Sequence, residues 1–150
     1  MTNVRNKIAT VVNHYQQTQA SGLKDIEKQL EIFTDDCTWV IFATEAVLGN
    51  SGLLIINNKD SLREGCEKYN NHIGSPNNIT INYFDLVIDE NNLRCNFNML
   101  LHIKIDPKNP VYSFNTLQFH INENFKIYKA YNWQGKVGNT EIGDILARSK

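Results

Sequence analysis

Apolar residues recur three and four positions apart at Val4, Ile8, Val11, Val12 and Tyr15, with Arg5, Lys7 and Gln16 between them. This spacing predicts an amphipathic helix over 3–19, ended by Ser21-Gly22. The same period continues in Leu23, Ile26, Leu30 and Phe33, with Lys24, Glu27, Lys28 and Glu31 facing water. A second helix over 23–33 follows, broken at Thr34-Asp35-Asp36. The run Cys37–Ala43 is short and rich in β-formers, so it reads as a strand. Between Glu45 and Asn58 two apolar pieces are interrupted by Gly49, Asn50, Ser51 and Gly52, which predicts a loop or small hairpin. Asn58-Lys59-Asp60-Ser61, with Glu64 further on, has the form of a helix start capped by Asp60 or Ser61. That third helix should reach about Ile73, where Gly74-Ser75-Pro76-Asn77-Asn78 stops it.

From Ile79 the period changes from helical to alternating. Ile79–Ile88 reads as an edge or penultimate strand, and Asp89-Glu90-Asn91-Asn92 as a turn. Three long strands follow: Leu93–Ile105, Val111–Asn122 and Phe125–Gln134, separated by the loop Asp106–Pro110 and the turn Asn122-Glu123-Asn124. Ile142, Ile145 and Leu146 predict a short terminal helix or tail. The order is helix, helix, strand, loop, helix and four antiparallel strands. It defines an α+β domain in which three helices cover one face of a cone-shaped, curved antiparallel sheet. A ligand site belongs at the open end of such a cone.

Composition narrows the partners. The chain has 150 residues and a formal net charge of −1 with no basic stripe, which argues against nucleic acid. No linker or repeat divides it, so 1–150 is taken as a single domain with a core over 4–135 and a tail or short helix over 136–150. Met1–Thr10 lacks an apolar stretch of the signal-peptide kind and runs directly into a helical pattern. Neither secretion nor a membrane span is expected, and the protein is placed in the cytoplasm. Cys37, Cys66 and Cys95 are odd in number and lack metal spacing, so they read as reduced core thiols. His14, His72 and His120 have no partner spacing for a metal; neither a metal nor a cofactor is expected.

Several phrases carry a resemblance: His14-Tyr15 on the first helix, Asp25-Ile26-Glu27, Phe33-Thr34-Asp35-Asp36-Cys37-Thr38, and Ile127 through Ala130-Tyr131 on the last strand. Together with the order of elements over Val4–Gln134, they resemble the nuclear transport factor 2 superfamily and, within it, SnoaL-like and ketosteroid-isomerase-like small proteins. The resemblance implies a cystatin-like cone and dimerisation through the outer sheet face. It also implies a pocket used by different members for isomerisation, dehydration, cyclisation or binding, among which the fold does not choose. Tyr15 matches a tyrosine that supports the oxyanion network of steroid isomerases. The general base of those enzymes falls on Ile41 and their second acid on Leu117, whereas the aspartate of SnoaL-type cyclases falls near Asn132–Gly135, where there is no acid. Neither mechanism transfers intact.

The resemblance also orients the strands, and period two extends that orientation. The inward sets are Asn96, Asn98, Leu100 and His102; Ser113, Asn115, Leu117 and Phe119; and Tyr128, Ala130, Asn132 and Gln134, joined by Trp39 and Ile41. The candidate ligand-binding residues are accordingly Trp39, Asn98, Asn115, Asn132, Leu117 and Phe119. His102 and Tyr15 are the candidate catalytic pair, His102 moving a proton and Tyr15 with Asn98 or Asn132 stabilising oxygen charge. A neutral ligand fits this set better than an anion. The opposite face would carry Cys95, Phe97, Met99, Leu101 and Ile103, continued by Tyr112 and Phe114. Such an apolar surface predicts a homodimer. In a register shifted by one those residues are the interior and His102 lies in solvent. Structural roles compete with each chemical one: His102 as a hydrogen-bonded strand residue, Tyr15 as a packing ring, and Asp35-Asp36 as a helix stop.

The function expected is a cofactor-independent isomerase, dehydratase or cyclase acting on a small, largely uncharged organic compound. The alternative is a non-catalytic ligand-binding or protein-interaction module that dimerises through the outer sheet face.

Overall fold

Six strands form one curved sheet, with helices packed into its concave side. The computed structural model describes residues 3–43 and 52–148. In chain order the elements are α1 (Val4–Gln17), α2 (Ile26–Leu30), β1 (Phe33–Ala43), β2 (Gly52–Asn57), α3 (Lys59–Ile73), a 3-10 turn (Pro76–Asn78), β3 (Ile79–Asp89), β4 (Arg94–Ile103), β5 (Val111–Ile121), β6 (Ile127–Lys136) and α4 (Asn139–Arg148). The sheet order is β2-β1-β6-β5-β4-β3. All neighbours are antiparallel except β1 and β6, which run parallel. The sheet is therefore mixed rather than wholly antiparallel.

Local chemistry sets the helix ends. Asn3 caps α1 by accepting from the Arg5 amide at 2.7 Å, and the stripe Ile8, Val11, Val12 and Tyr15 is buried as its spacing requires. The second helix is shorter than expected, a single turn or so over Ile26–Leu30. Phe33 is instead the first residue of β1, and Thr34-Asp35-Asp36 lies inside that strand, where the pairing with β6 shifts between Phe33 and Thr38. Asp35 there meets Lys59 at 3.5 Å, a structural role. The cap of α3 is Asn58, not Asp60 or Ser61; its side chain accepts from the Ser61 amide at 2.9 Å. Asp60 instead takes Arg63 at 2.6 Å. The expected hairpin exists in part, since Gly52–Asn57 pairs with β1; the remainder of that reading, residues 44–51, lies outside the described residues.

One expectation is overturned by burial. On β4 the inward residues are Cys95, Phe97, Met99, Leu101 and Ile103, all 3 % exposed or less, and not the alternate set Asn96, Asn98, Leu100 and His102, of which only Leu100 is buried, on the other face. The ladder fixes this: Phe97 pairs with Leu117 and Met99 with Asn115, whereas Asn98 pairs with Thr116 and His102 with Tyr112. The apolar row belongs inside because a one-residue slip would wet five such side chains at once. On β5 the inward row is the expected Ser113, Asn115, Leu117 and Phe119, all fully buried. On β6 Ala130 and Asn132 face inward, but Tyr128 does not: a register shift at His120/Ile121 turns Ile127 in and leaves Tyr128 exposed.

Rings interlock at the centre. Tyr15 lies 5.2 Å from Phe119, 5.9 Å from Phe97 and 6.1 Å from Trp39 between ring centroids, and Phe33 stacks on Trp39 at 5.6 Å. Aromatic contacts of this geometry add to the burial of each ring. The terminal helix α4 lies on the other side, its Glu141 and Ile145 sharing a groove with Phe84 and Phe114 of the outer face.

Candidate functional site

The site is a pocket between α3 and the concave face, and the ladder shows why it has its particular floor. Asn132 pairs with Ile41 on one side and Leu117 on the other; on the next rung Asn115 pairs with Gln134 and Met99. Two asparagines thus come together on an otherwise apolar surface. Trp39, Ile41, Leu54 and Ile56 extend the wall through β1 and β2, and Leu62, Gly65, Cys66 and Tyr69 of α3 roof it. Gly65 lets α3 come close, because a Cβ there would stand 3.2 Å from the Ile56 Cδ1. The pocket opens to solvent, and its volume is about 130 Å³.

Three buried polar atoms in this lining have no hydrogen-bond partner: the indole Nε1 of Trp39, Oδ1 of Asn115 and Oδ1 of Asn132. Asn115 uses its amide nitrogen on Ser113, at 3.2 Å to the hydroxyl, so its oxygen is what remains. Leaving a buried polar group unpaired costs about 1–3 kcal/mol. A pocket that holds a donor and two acceptors in this state is matched to something that would pair them.

The connection between α1 and α2 forms the rim. Tyr69 donates from its hydroxyl to the Gly22 carbonyl at 2.7 Å. Gly22 has φ +97°, and a side chain on it would run into Ile79. Asn70 grips Lys24 twice, accepting from its amide at 2.8 Å and donating to its carbonyl at 3.0 Å. Behind the rim, buried Gln29 donates to Thr18 at 3.2 Å and to Gln19 at 3.3 Å. Burial holds the Tyr15 phenol well above its usual pKa, and Tyr69 is raised for the same main reason. Both are neutral hydrogen-bonding groups near pH 7 rather than bases.

The residues expected from sequence separate into three groups. Tyr15, Trp39, Asn115 and Asn132 come together in the pocket lining. Leu117 and Phe119 face the same way and are fully buried, but they pack the cone's closed interior and line no part of the pocket. His102 and Asn98 are on the opposite face. His102 stacks on Tyr112 at 4.2 Å with the rings 6° from parallel, and Asn98 accepts from the Thr116 hydroxyl at 2.9 Å. The proposed proton carrier and Tyr15 are therefore separated by the sheet itself. Burial, with Lys104 as the lesser cause, depresses the His102 pKa. Sequence reasoning missed the α3 roof, Met99 and Leu101 of the floor, and Lys24 and Lys68 at the mouth. The α3 residues Leu62, Cys66 and Tyr69 do recur at helical spacing, a signal that marked an inward face without saying what it met. Among the described residues, no group of three or more His, Cys, Asp or Glu is placed to hold a metal. No helix among them is long and apolar enough to cross a membrane. The three cysteines are free and buried, and burial pushes Cys95 up to about 12.

No protein-family model and no curated protein matches the sequence. Solved structures match the fold over most of the chain. An NTF2-like protein of unknown function from Cytophaga hutchinsonii superposes with a TM-score of 0.64 at 11 % identity, covering 89 % of this chain and all of that one. The epoxide hydrolase/cyclase-like enzyme SalBIII, which has a role in pyran ring formation in the polyether salinomycin, gives 0.63 at 17 % identity, covering 87 % and 92 %. A Mycobacterium tuberculosis protein in complex with estradiol-17beta-hemisuccinate gives 0.62 at 12 % identity, covering 84 % and 92 %. The fold is that of the nuclear transport factor 2-like proteins, a cone of curved sheet and helices.

Proposed function

We propose that this protein binds a small organic molecule in the cone, with the ligand held between Trp39 and the α3 roof and hydrogen-bonded to Asn115 and Asn132. The observation that carries this reading is the trio of buried, unpartnered polar atoms in one apolar pocket. A fold neighbour in complex with estradiol-17beta-hemisuccinate supports the use of this architecture for small molecules.

Binding without turnover is the better reading of the site. Isomerase, dehydratase or cyclase chemistry needs a group that exchanges a proton near neutral pH. His102 faces away, and the described lining residues include no carboxylate and no imidazole. Tyr15 can donate a hydrogen bond but is held neutral.

The expected homodimer rests on a different surface from the one first indicated, because Phe97 and Met99 are interior. Its support is an exposed outer-face stack: Phe42 on Trp133 at 5.9 Å, and Trp133 on Tyr131 at 5.5 Å. A second copy meeting these rings through the outer face completes the proposal.

Thermal unfolding against a panel of aromatic, terpenoid, steroid and polyketide compounds tests the pocket. A ligand of the native state raises the midpoint by mass action, and that rise should vanish in Asn132→Leu. A panel that moves neither the midpoint nor the Trp39 indole proton resonance overturns the small-molecule reading.

A further inference from the structure

The mouth of the pocket has a charge that its floor lacks. Lys24 and Lys68 both contribute to the lining, and the described lining residues include no acidic side chain. Lys24 holds its ammonium over two rings, 4.8 Å from the Tyr69 centroid and 5.5 Å from that of Trp39. Its backbone is clamped by Asn70, so the side chain springs from a fixed point beside the opening. Of the acids that follow Lys24, Asp25 meets Lys28 and Glu27 meets Arg63, while Glu67 adjoins Lys68 in sequence and is exposed. Lys68 has Glu64 one turn before it on α3, yet among the described residues neither Lys24 nor Lys68 is in an ion pair. Two cations without acidic partners beside an apolar opening favour an anion there, and the low polarity of the pocket walls strengthens the attraction.

Size sets a second limit. A volume of about 130 Å³ in this open-mouthed pocket is close to the roughly 150 Å³ that admits a single benzene ring. It is well below the roughly 300–1,000 Å³ of sites for drug-sized molecules. The floor adds a third requirement, because Asn115 and Asn132 present acceptors and Trp39 a donor. A hydroxyl satisfies both kinds at once, giving its proton to an asparagine oxygen and taking one from the indole.

From these three constraints we propose that the pocket takes a single-ring organic acid bearing a hydroxyl group. The carboxylate lies at the mouth between Lys24 and Lys68, the ring lies against Trp39, and the hydroxyl sits on the asparagine floor. This rests on the small-molecule reading above and reverses the sequence-based preference for an uncharged compound. The lysines explain the reversal: α1–α2 and α3 bring them to one opening from positions 44 residues apart, which no strand pattern reveals.

The test uses 4-hydroxyphenylacetate and its neutral amide, 4-hydroxyphenylacetamide, titrated into the full chain at low salt. Binding is read from the Trp39 indole proton resonance, with estradiol as a large neutral control. The acid should move that resonance and bind on the order of tenfold more tightly than the amide, a preference that shrinks as salt is raised. The preference should disappear in Lys24→Met/Lys68→Met, which should bind the acid no more tightly than the amide. Equal affinity for acid and amide would overturn the anion assignment and leave the pocket reading standing. A response to estradiol but to neither single-ring compound would overturn the single-ring acid and leave the small-molecule reading standing. If neither these compounds nor the wider panel moves the resonance, both readings fall.

Discussion

The two faces of the sheet are built from similar residues and behave differently. Inside, Tyr15, Phe33, Trp39, Phe97 and Phe119 are almost wholly buried and meet mostly at steep angles, each closing gaps left by the others. Outside, Phe42, Trp133 and Tyr131 lie nearly parallel in a row, with Phe42 and Trp133 both 41 % exposed. The inner set has helices to close over it and forms a three-dimensional core. The outer set has only the edge of α4 beside Trp133, so its rings stack along the sheet and stay partly exposed. Aromatic content therefore says little about where a residue lies; the layer above it decides.

Removing one ring from each face should give the largest contrast. Phe119→Ala opens a cavity among Tyr15, Phe97 and Trp39 and should cost about 3–5 kcal/mol. Tyr128→Ala removes an exposed ring whose aromatic neighbour is His120, at 6.2 Å, and should cost below about 1 kcal/mol. Urea unfolding with unchanged slopes measures both. Equal costs would break the distinction between the faces and restore Tyr128 to the interior.

That pair of residues also shows what the sequence could convey. Period two placed Phe119 correctly and Tyr128 wrongly, because a single irregularity opposite His120 and Ile121 inverts the start of β6 while leaving Ala130 and Asn132 in phase. On β4 either alternating set is eligible by period alone, and burial selects the apolar row Cys95 to Ile103 as the inner one. The hydrophobic pattern itself favours that register, whereas the resemblance pointed to the other. The order of helices and strands along the chain follows from local period and turn chemistry, and Asn115 and Asn132 face inward as the resemblance implied, whereas Asn98 does not. The parallel pairing of β1 with β6 and the sharing of one pocket by Lys24 and Lys68 were not legible there. Both depend on how distant segments fold back, and no local spacing encodes them.

The outer stack can be tested as an interface. If a second copy covers Phe42, Tyr131 and Trp133, then Phe42→Asp or Trp133→Glu should weaken the dimer at least tenfold, about 1.4 kcal/mol, as read by light scattering over a dilution series. The fold should persist, because neither side chain belongs to the core. A parent that is monomeric at high concentration breaks this account of the outer face.

On the inner face the sharper variant is one that should not harm the fold. Asn132→Leu replaces a buried acceptor without a partner by an apolar group of similar size. Stability should stay level or rise by up to about 1 kcal/mol, while binding in the pocket is lost. A clear loss of stability would show that Asn132 serves packing instead, and would weaken the functional reading of the floor.

The smallest effect expected belongs to His102, which the resemblance oriented inward and the ladder places outside. Burial depresses its pKa in the folded protein below the ordinary value near ~6.5. As pH falls through ~6.5 the unfolded chain takes up the proton first, so stability declines from its full value above that point. The decline ends once pH is below the depressed native pKa and both states are protonated. His102→Phe keeps a ring beside Tyr112 and removes this titration, so its unfolding midpoint should fall less steeply than the parent's between pH 7 and the native pKa. His120 is shifted in the same direction by burial, Arg94 and Lys129, and the variant should retain that part of the slope. A midpoint in the parent that rises on acidification would mean that His102 gains its proton on folding, the opposite of what a stacked, half-buried imidazole beside Lys104 should do.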